Sequence, residues 1–126
     1  MTKPTVFPAL HYDDARQAVD FLKSAFGAEE HSVFTDDAGN IRHAELSFGN
    51  GIVMFGPTPP DEKAVRTSIY VVIDDVDAHA ERARANGAEI MREPNDTDYG
   101  SREYGARDPE GNTWHFGTYT PYQESR

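Results

Sequence analysis

Residues 7–30, FPALHYDDARQAVDFLKSAFGAEE, and residues 67–90, TSIYVVIDDVDAHAERARANGAEI, carry one pattern twice. Each reads as a strand, an Asp-Asp pair, an amphipathic helix and a close of Phe or Asn followed by Gly-Ala-Glu. The Asp pairs at 13–14 and 74–75 lie 61 residues apart, and Gly27 and Gly87 lie 60 apart. The far ends match as well, GNGIVMFG (49–56) against EGNTWHFG (110–117). Such a recurrence marks one supersecondary unit used twice.

Asp14 suits an N-cap, its carboxylate accepting from free amides of the first turn. Ala15, Ala18, Val19, Leu22, Ala25 and Phe26 then fall on one buried stripe at i, i+3, i+4, i+7 spacing. Gly27 suits the left-handed residue that ends the helix. The second helix spans about 76–86, with Val76, Ala80 and Ala83 inward and Gly87 as its stop. Strands are expected at about 5–11, 31–36, 41–48, 52–56, 67–73, 89–92, 102–107 and 113–119. Asn50-Gly51 marks a hairpin and Pro109-Glu110-Gly111-Asn112 a turn. Pro57, Pro59 and Pro60 break the strand before them. Residues 1–126 are therefore read as a single α+β domain of two βαβββ modules, 5–56 and 66–119, joined by a Pro-rich linker at 57–65. The modules are expected to form a curled mixed sheet around a cleft.

Twelve Lys and Arg against twenty-two Asp and Glu leave a net charge of −10. That argues against nucleic acid, which needs a basic footprint, and against anionic lipid. The absence of cysteine excludes disulfides, thiolate metal sites and a Cys nucleophile. No apolar run approaches the ~20 residues of a membrane span, and the opening MTKPTVFPALHYDD lacks the apolar core of a signal peptide. A soluble, cytoplasmic protein is the expectation. Three Leu, five Ile, eight Val and seven Phe make less than a fifth of the chain, so its core is thin.

Alternation along the strands decides what faces the cleft. Ala44, Leu46 and Phe48 suit the helix side of their strand, which leaves His43, Glu45 and Ser47 opposite. Leu10 goes under the helix, with Phe7, Ala9 and His11 on the other face; Trp114 and Phe116 go under the second helix, with His115 opposite. A shared cavity would then be lined by His11, His43, Glu45, Met54, Tyr70 and His115. Tyr99, Arg102, Tyr104 and Arg107 form an aromatic and cationic group suited either to packing or to an anionic or aromatic ligand. His31 and His79 are read as surface or helix-flank residues.

Three stretches together resemble the vicinal-oxygen-chelate superfamily of glyoxalase I, extradiol dioxygenases and bleomycin-resistance proteins. They are Tyr12-Asp13-Asp14-Ala15 leading into a helix closed by Ala25-Phe26-Gly27-Ala28-Glu29, Asp108-Pro109-Glu110-Gly111-Asn112 before the last strand, and the duplication itself. His43-Ala44-Glu45-Leu46 and Tyr99-Gly100-Ser101-Arg102 resemble its small bacterial branch. The resemblance implies metal ligands from inward positions of the first, fourth, fifth and last strands. Here those positions hold Phe7, Met54, Ser68 and His115, of which only His115 ligates well. No metal and no cofactor are therefore expected.

The leading expectation is a metal-free, bleomycin-resistance-like protein that sequesters an aromatic or cationic small molecule, as in antibiotic resistance. Its ligand contacts are expected from Phe7, His11, His43, Glu45, Met54, Tyr70, Tyr99, Arg102, Tyr104 and His115. Two enzyme readings stand beside it. One is a metal-dependent lyase, isomerase or dioxygenase with His43, Glu45 and His115 as relocated ligands and His11 as a fourth donor. The other is a metal-free acid–base enzyme, with His43 as base, Glu45 orienting it and Arg102 holding an oxyanion. The thin core and an extended linker of roughly 25 Å point to a homodimer. In it His11, His43, Glu45 and Met54 of one subunit would face Tyr70 and His115 of the other.

Overall fold

Asp14 caps the first helix as its chemistry requires, accepting from the Gln17 amide at 3.0 Å. The structure, a computed structural model, describes residues 3–122. It runs β1 (Ala9–Tyr12), α1 (Ala15–Phe26), β2 (Glu29–Thr35), β3 (Ile41–Phe48), β4 (Gly51–Pro57), β5 (Ser68–Val72), α2 (Val76–Ala85), β6 (Glu89–Asp96), β7 (Arg102–Arg107) and β8 (Thr113–Gly117). The fold is α+β. Its strands form two four-stranded mixed sheets, ordered β1-β4-β3-β2 and β5-β8-β7-β6. In each, the first strand pairs in parallel with the fourth and the remaining pairs are antiparallel. No strand pairs across the two sheets among the described residues, so the two modules form the expected mixed-sheet fold as two open four-stranded sheets.

Several boundaries shift for identifiable reasons. Pro4 and Pro8 lack an N–H, and β1 begins only at Ala9. β6 runs on to Asp96 through Pro94, which an edge strand tolerates at breaks in register between Ile90 and Arg92 and between Arg92 and Asn95. β8 stops at Gly117, two residues early.

Side chains of the second half hold both ends of α1. Glu110 accepts from the amides of Asp13 and Asp14 at 2.6 and 2.8 Å, placing a carboxylate at the positive end of the helix dipole. At the other end Arg82 of α2 donates to the carbonyls of Ser24 and Lys23 at 2.9 and 3.1 Å. Gly27 serves this contact twice. Its φ of +79° suits glycine, and a Cβ there would come within 3.2 Å of the Arg82 guanidinium. His79, expected at the surface, is half-buried in the same joint. Its Nε2 lies 3.0 Å from the Phe26 carbonyl and its Nδ1 bonds the Tyr104 hydroxyl. A carbonyl only accepts, so the proton sits on Nε2 and Tyr104 donates to Nδ1.

The core runs through this joint. Phe26 lies 4.8 Å from Phe116 and 5.5 Å from Trp114 between ring centroids, so the end of α1 stands on β8. Beside them Asp108 is 5% exposed. It accepts from Tyr12 Oη at 2.6 Å, Trp114 Nε1 at 3.1 Å, Asn112 Nδ2 at 3.1 Å, and the amides of Glu110 and Asn112 at 3.0 Å each. Burial first, and then the Asp108 charge, hold the Tyr12 phenol above its ordinary range, so it stays a donor.

Two outcomes follow for stability. Asp108→Ala strands the buried donors of Tyr12, Trp114 and Asn112 and is expected to cost about 3 kcal/mol or more, whereas Tyr12→Phe removes one bond of several and costs about 1 kcal/mol. Urea denaturation checks both, and equal losses would contradict the role given to Asp108. For His79, burial dominates and holds the imidazole below its ordinary value. The folded protein therefore binds that proton less readily than the unfolded chain. The His79 contribution is complete above the unfolded value of about 6.5 and is lost as pH falls below it toward the lower folded value. The urea midpoint should drop between pH 7.5 and 5.5, and His79→Gln should flatten that drop. An unchanged slope in the variant would contradict the assignment.

Candidate functional site

Because the helices use one face of each sheet to join the halves, the opposite faces are left open, and each carries a cavity. The first, about 460 Å³, lies over β1, β3 and β4, with His11, His43 and Met54 on its walls and Pro57 to Pro60 along its rim. Met54 pairs with Ala9 on one side and Glu45 on the other, so these side chains share a face. Glu45 Oε2 lies 2.9 Å from His43 Nε2, and Glu45 Oε1 lies 3.9 Å from His31 Nε2. His31 thus joins this group rather than standing alone on the surface. Phe7 precedes β1 and is 39% exposed.

The second cavity, about 590 Å³, is lined by Tyr70, Tyr99, Glu103, His115 and Tyr119. Tyr70 pairs with His115 across β5 and β8, which sets both on the open face. Tyr70 donates to the Tyr119 carbonyl at 2.7 Å, and Tyr99 donates to Glu103 Oε2 at 2.9 Å. Burial, followed by the Glu103 charge, raises the Tyr70 phenol above its ordinary value. Glu103 itself is 6% exposed.

Register explains which expected residues stand elsewhere. Cross-strand partners share a face, and Tyr104 pairs with Phe116 while Glu103 pairs with Gly117. Tyr104 is therefore fully buried on the helix side, stacked on Phe116 at 5.2 Å, and not in the cleft. Arg102 shares that side. Its guanidinium donates to Asp77 at 2.8 and 2.9 Å and to Asp96 at 3.0 Å, so it holds α2 to the sheet and does not reach the cavity. The expected oxyanion holder is thus committed elsewhere. Glu103 and Tyr119 were not expected. The alternation of β7 against His115 carried the signal for Glu103, whereas Tyr119 lies past the last strand, where alternation says nothing.

The two cavities share no lining residue, and one chain does not bring His11, His43, Glu45 and Met54 together with Tyr70 and His115. The metal positions implied by the resemblance hold a phenyl ring, a thioether, a hydroxyl and one imidazole, a poor set for a hard divalent cation. Among the described residues no three His, Asp or Glu side chains come together as a metal site requires. The donor set does not fit the metal. No described helix is long and apolar enough to cross a membrane.

Comparisons with known proteins agree with this architecture. A family model for the Glyoxalase/Bleomycin resistance protein/Dioxygenase superfamily matches residues 7–116. TioX from Micromonospora sp. ML1 superposes with a TM-score of 0.79 at 32% identity, over 96% of this chain and 100% of that one. A glyoxalase/bleomycin resistance protein from Streptomyces sp. CB03234 superposes at 0.74 with 19% identity, over 90% of this chain and 98% of that one, a likeness of fold alone. An uncharacterised protein of Mycobacterium bovis is 30% identical, over 91% of this chain and 83% of its own length. With the duplicated layout and a family match over nearly its whole length, the chain belongs to the Glyoxalase/Bleomycin resistance protein/Dioxygenase superfamily.

Proposed function

We propose that this protein is a metal-free binding protein that sequesters a small aromatic or cationic compound in a cleft between two identical chains. The observation that carries the reading is the pair of open, unlike sheet faces. One bears His11, His43, Glu45 and Met54, and the other Tyr70, Tyr99, Glu103 and His115. Tyr70, Tyr99 and Tyr119 line one cavity and are each at least 38% exposed, more apolar surface than a face left in water usually carries. Setting the first face of one chain against the second face of its partner covers that surface and makes two equivalent clefts. The net charge of −10 favours cationic compounds in the encounter, an effect that salt weakens. The role belongs in the cytoplasm.

The hydrogen bond between His43 and Glu45 supports a second reading, in which Glu45 orients His43 as a general base toward a carbonyl compound or epoxide. In that reading Arg102 is not the oxyanion holder, because its guanidinium is committed to Asp77 and Asp96.

Sedimentation equilibrium at micromolar protein is expected to show a species of twice 14.1 kDa, and a single-chain species would overturn the shared cleft. Calorimetric titration across cationic glycopeptide and aromatic antibiotics should give saturable heat with at least one compound. Tyr70→Ala and His43→Ala should each weaken that binding by about tenfold, the usual scale for a central contact. Heat absent throughout the panel would overturn the binding function.

A further inference from the structure

The second cavity has a construction that the general reading does not use. Glu103 lies on the floor, 94% shielded from solvent, in a cavity whose walls are tyrosine rings. Tyr99 and Tyr119 stand at 86° with ring centroids 6.0 Å apart, and Tyr70 and Tyr119 at 56° with 6.5 Å between them. Three mutually inclined rings offer no parallel pair between which a flat ligand would slide. They enclose a rounded group instead. Gly117 makes the convergence possible, because a Cβ there would lie 2.5 Å from Glu103 Cγ and 2.7 Å from Tyr70 Oη.

The charge balance points the same way. Glu103 Oε2 takes one hydrogen bond, from Tyr99. Among the described residues the nearest cation is Arg92, which stands at ion-pair distance, 3.6 Å from Oε1, too far for a hydrogen bond, with its side chain 42% exposed. A neutral aromatic ligand lying over this carboxylate would strip its remaining water without replacing it. A compact ammonium would need several acceptors, and the ring faces supply none. A cation whose charge is spread over methyl groups needs no hydrogen bonds and is drawn both to ring faces and to a carboxylate.

We infer that Tyr70, Tyr99 and Tyr119 with Glu103 form a cage for a methylated, quaternary-type ammonium group. The inference takes the location of the binding face from the proposed function and adds the chemical class of the ligand.

The test uses the full chain and two probes of one shape, choline and its uncharged isostere 3,3-dimethylbutan-1-ol, followed by NMR shifts of the Tyr70, Tyr99 and Tyr119 resonances. Choline should bind at least tenfold more tightly than the isostere, as the charge-dependent part of a desolvated cation–π site implies. Glu103→Gln should remove most of that difference, and Tyr119→Leu should weaken choline. Tyr99→Phe keeps the ring, loses only the hydrogen bond, and should retain choline binding within a few-fold. Thermal melts certify that each variant is folded, and Tyr99→Phe against Tyr99→Leu repeats the comparison if Glu103→Gln fails to fold. Equal affinity for the two probes would overturn the cage. A neutral bicyclic heteroaromatic, quinoxaline, that binds this cavity when choline does not would overturn the cage and leave the binding function standing. Failure of both probes and of quinoxaline, together with failure of the antibiotic panel, would overturn both. Loss of the two-chain species in Glu103→Gln would assign the carboxylate to a partner's basic face and overturn the cage.

Discussion

Asp108 is a carboxylate that the fold removes from water and surrounds with donors. Tyr12 reaches it from β1, Trp114 from β8, and Asn112 with two backbone amides from the turn between. A buried charge is tolerable only when its lone pairs are filled, and here they are filled from both halves of the chain. The Asp-Pro-Glu-Gly-Asn turn is therefore a joint. Its Asp holds β1 against β8, and its Glu110 caps the start of α1. Arg82 and His79 complete the joint at the far end of the same helix.

That joint determines where ligands are able to bind. The helix-side faces of both sheets are spent on holding the halves together, with Tyr104, Trp114 and Phe116 fully buried there. The opposite faces get no cover from within the chain. They also differ in chemistry, one presenting imidazoles and a thioether, the other tyrosines over a buried carboxylate. Two copies set face to face would give each cleft one wall of each kind. The same scaffold hosts enzymes and binders alike, so the side chains on the open faces decide the function and the fold does not.

Much of this is legible in the sequence alone. The duplication, both helices, the caps of α1, and the strand phases of β3 and β8 follow from spacing and from residues such as Asp14, Gly27 and Trp114. The site was legible only in part. Tyr104 and Arg102 drew attention by residue type, but the phase of β7 is fixed by its partner Phe116, which turns them to the helix side and Glu103 to the open face. His79 looked like a helix-flank residue because nothing local to it shows that Phe26 ends 53 residues earlier within hydrogen-bond reach. Contacts between the halves are invisible to periodicity, which reports one element at a time.

The account rests on the open faces of different halves meeting across two chains. The absence of cysteine allows a single nitroxide to be placed by Met54→Cys, on the first face. Unlabelled chains carrying that nitroxide are then mixed in excess with isotope-labelled chains that carry none, and the amide signals of the latter are recorded. The account expects the amides of Tyr70 and His115 in the isotope-labelled chain to broaden, because a partner's position 54 lies across the cleft from them. Sharp Tyr70 and His115 signals in the mixture would contradict it.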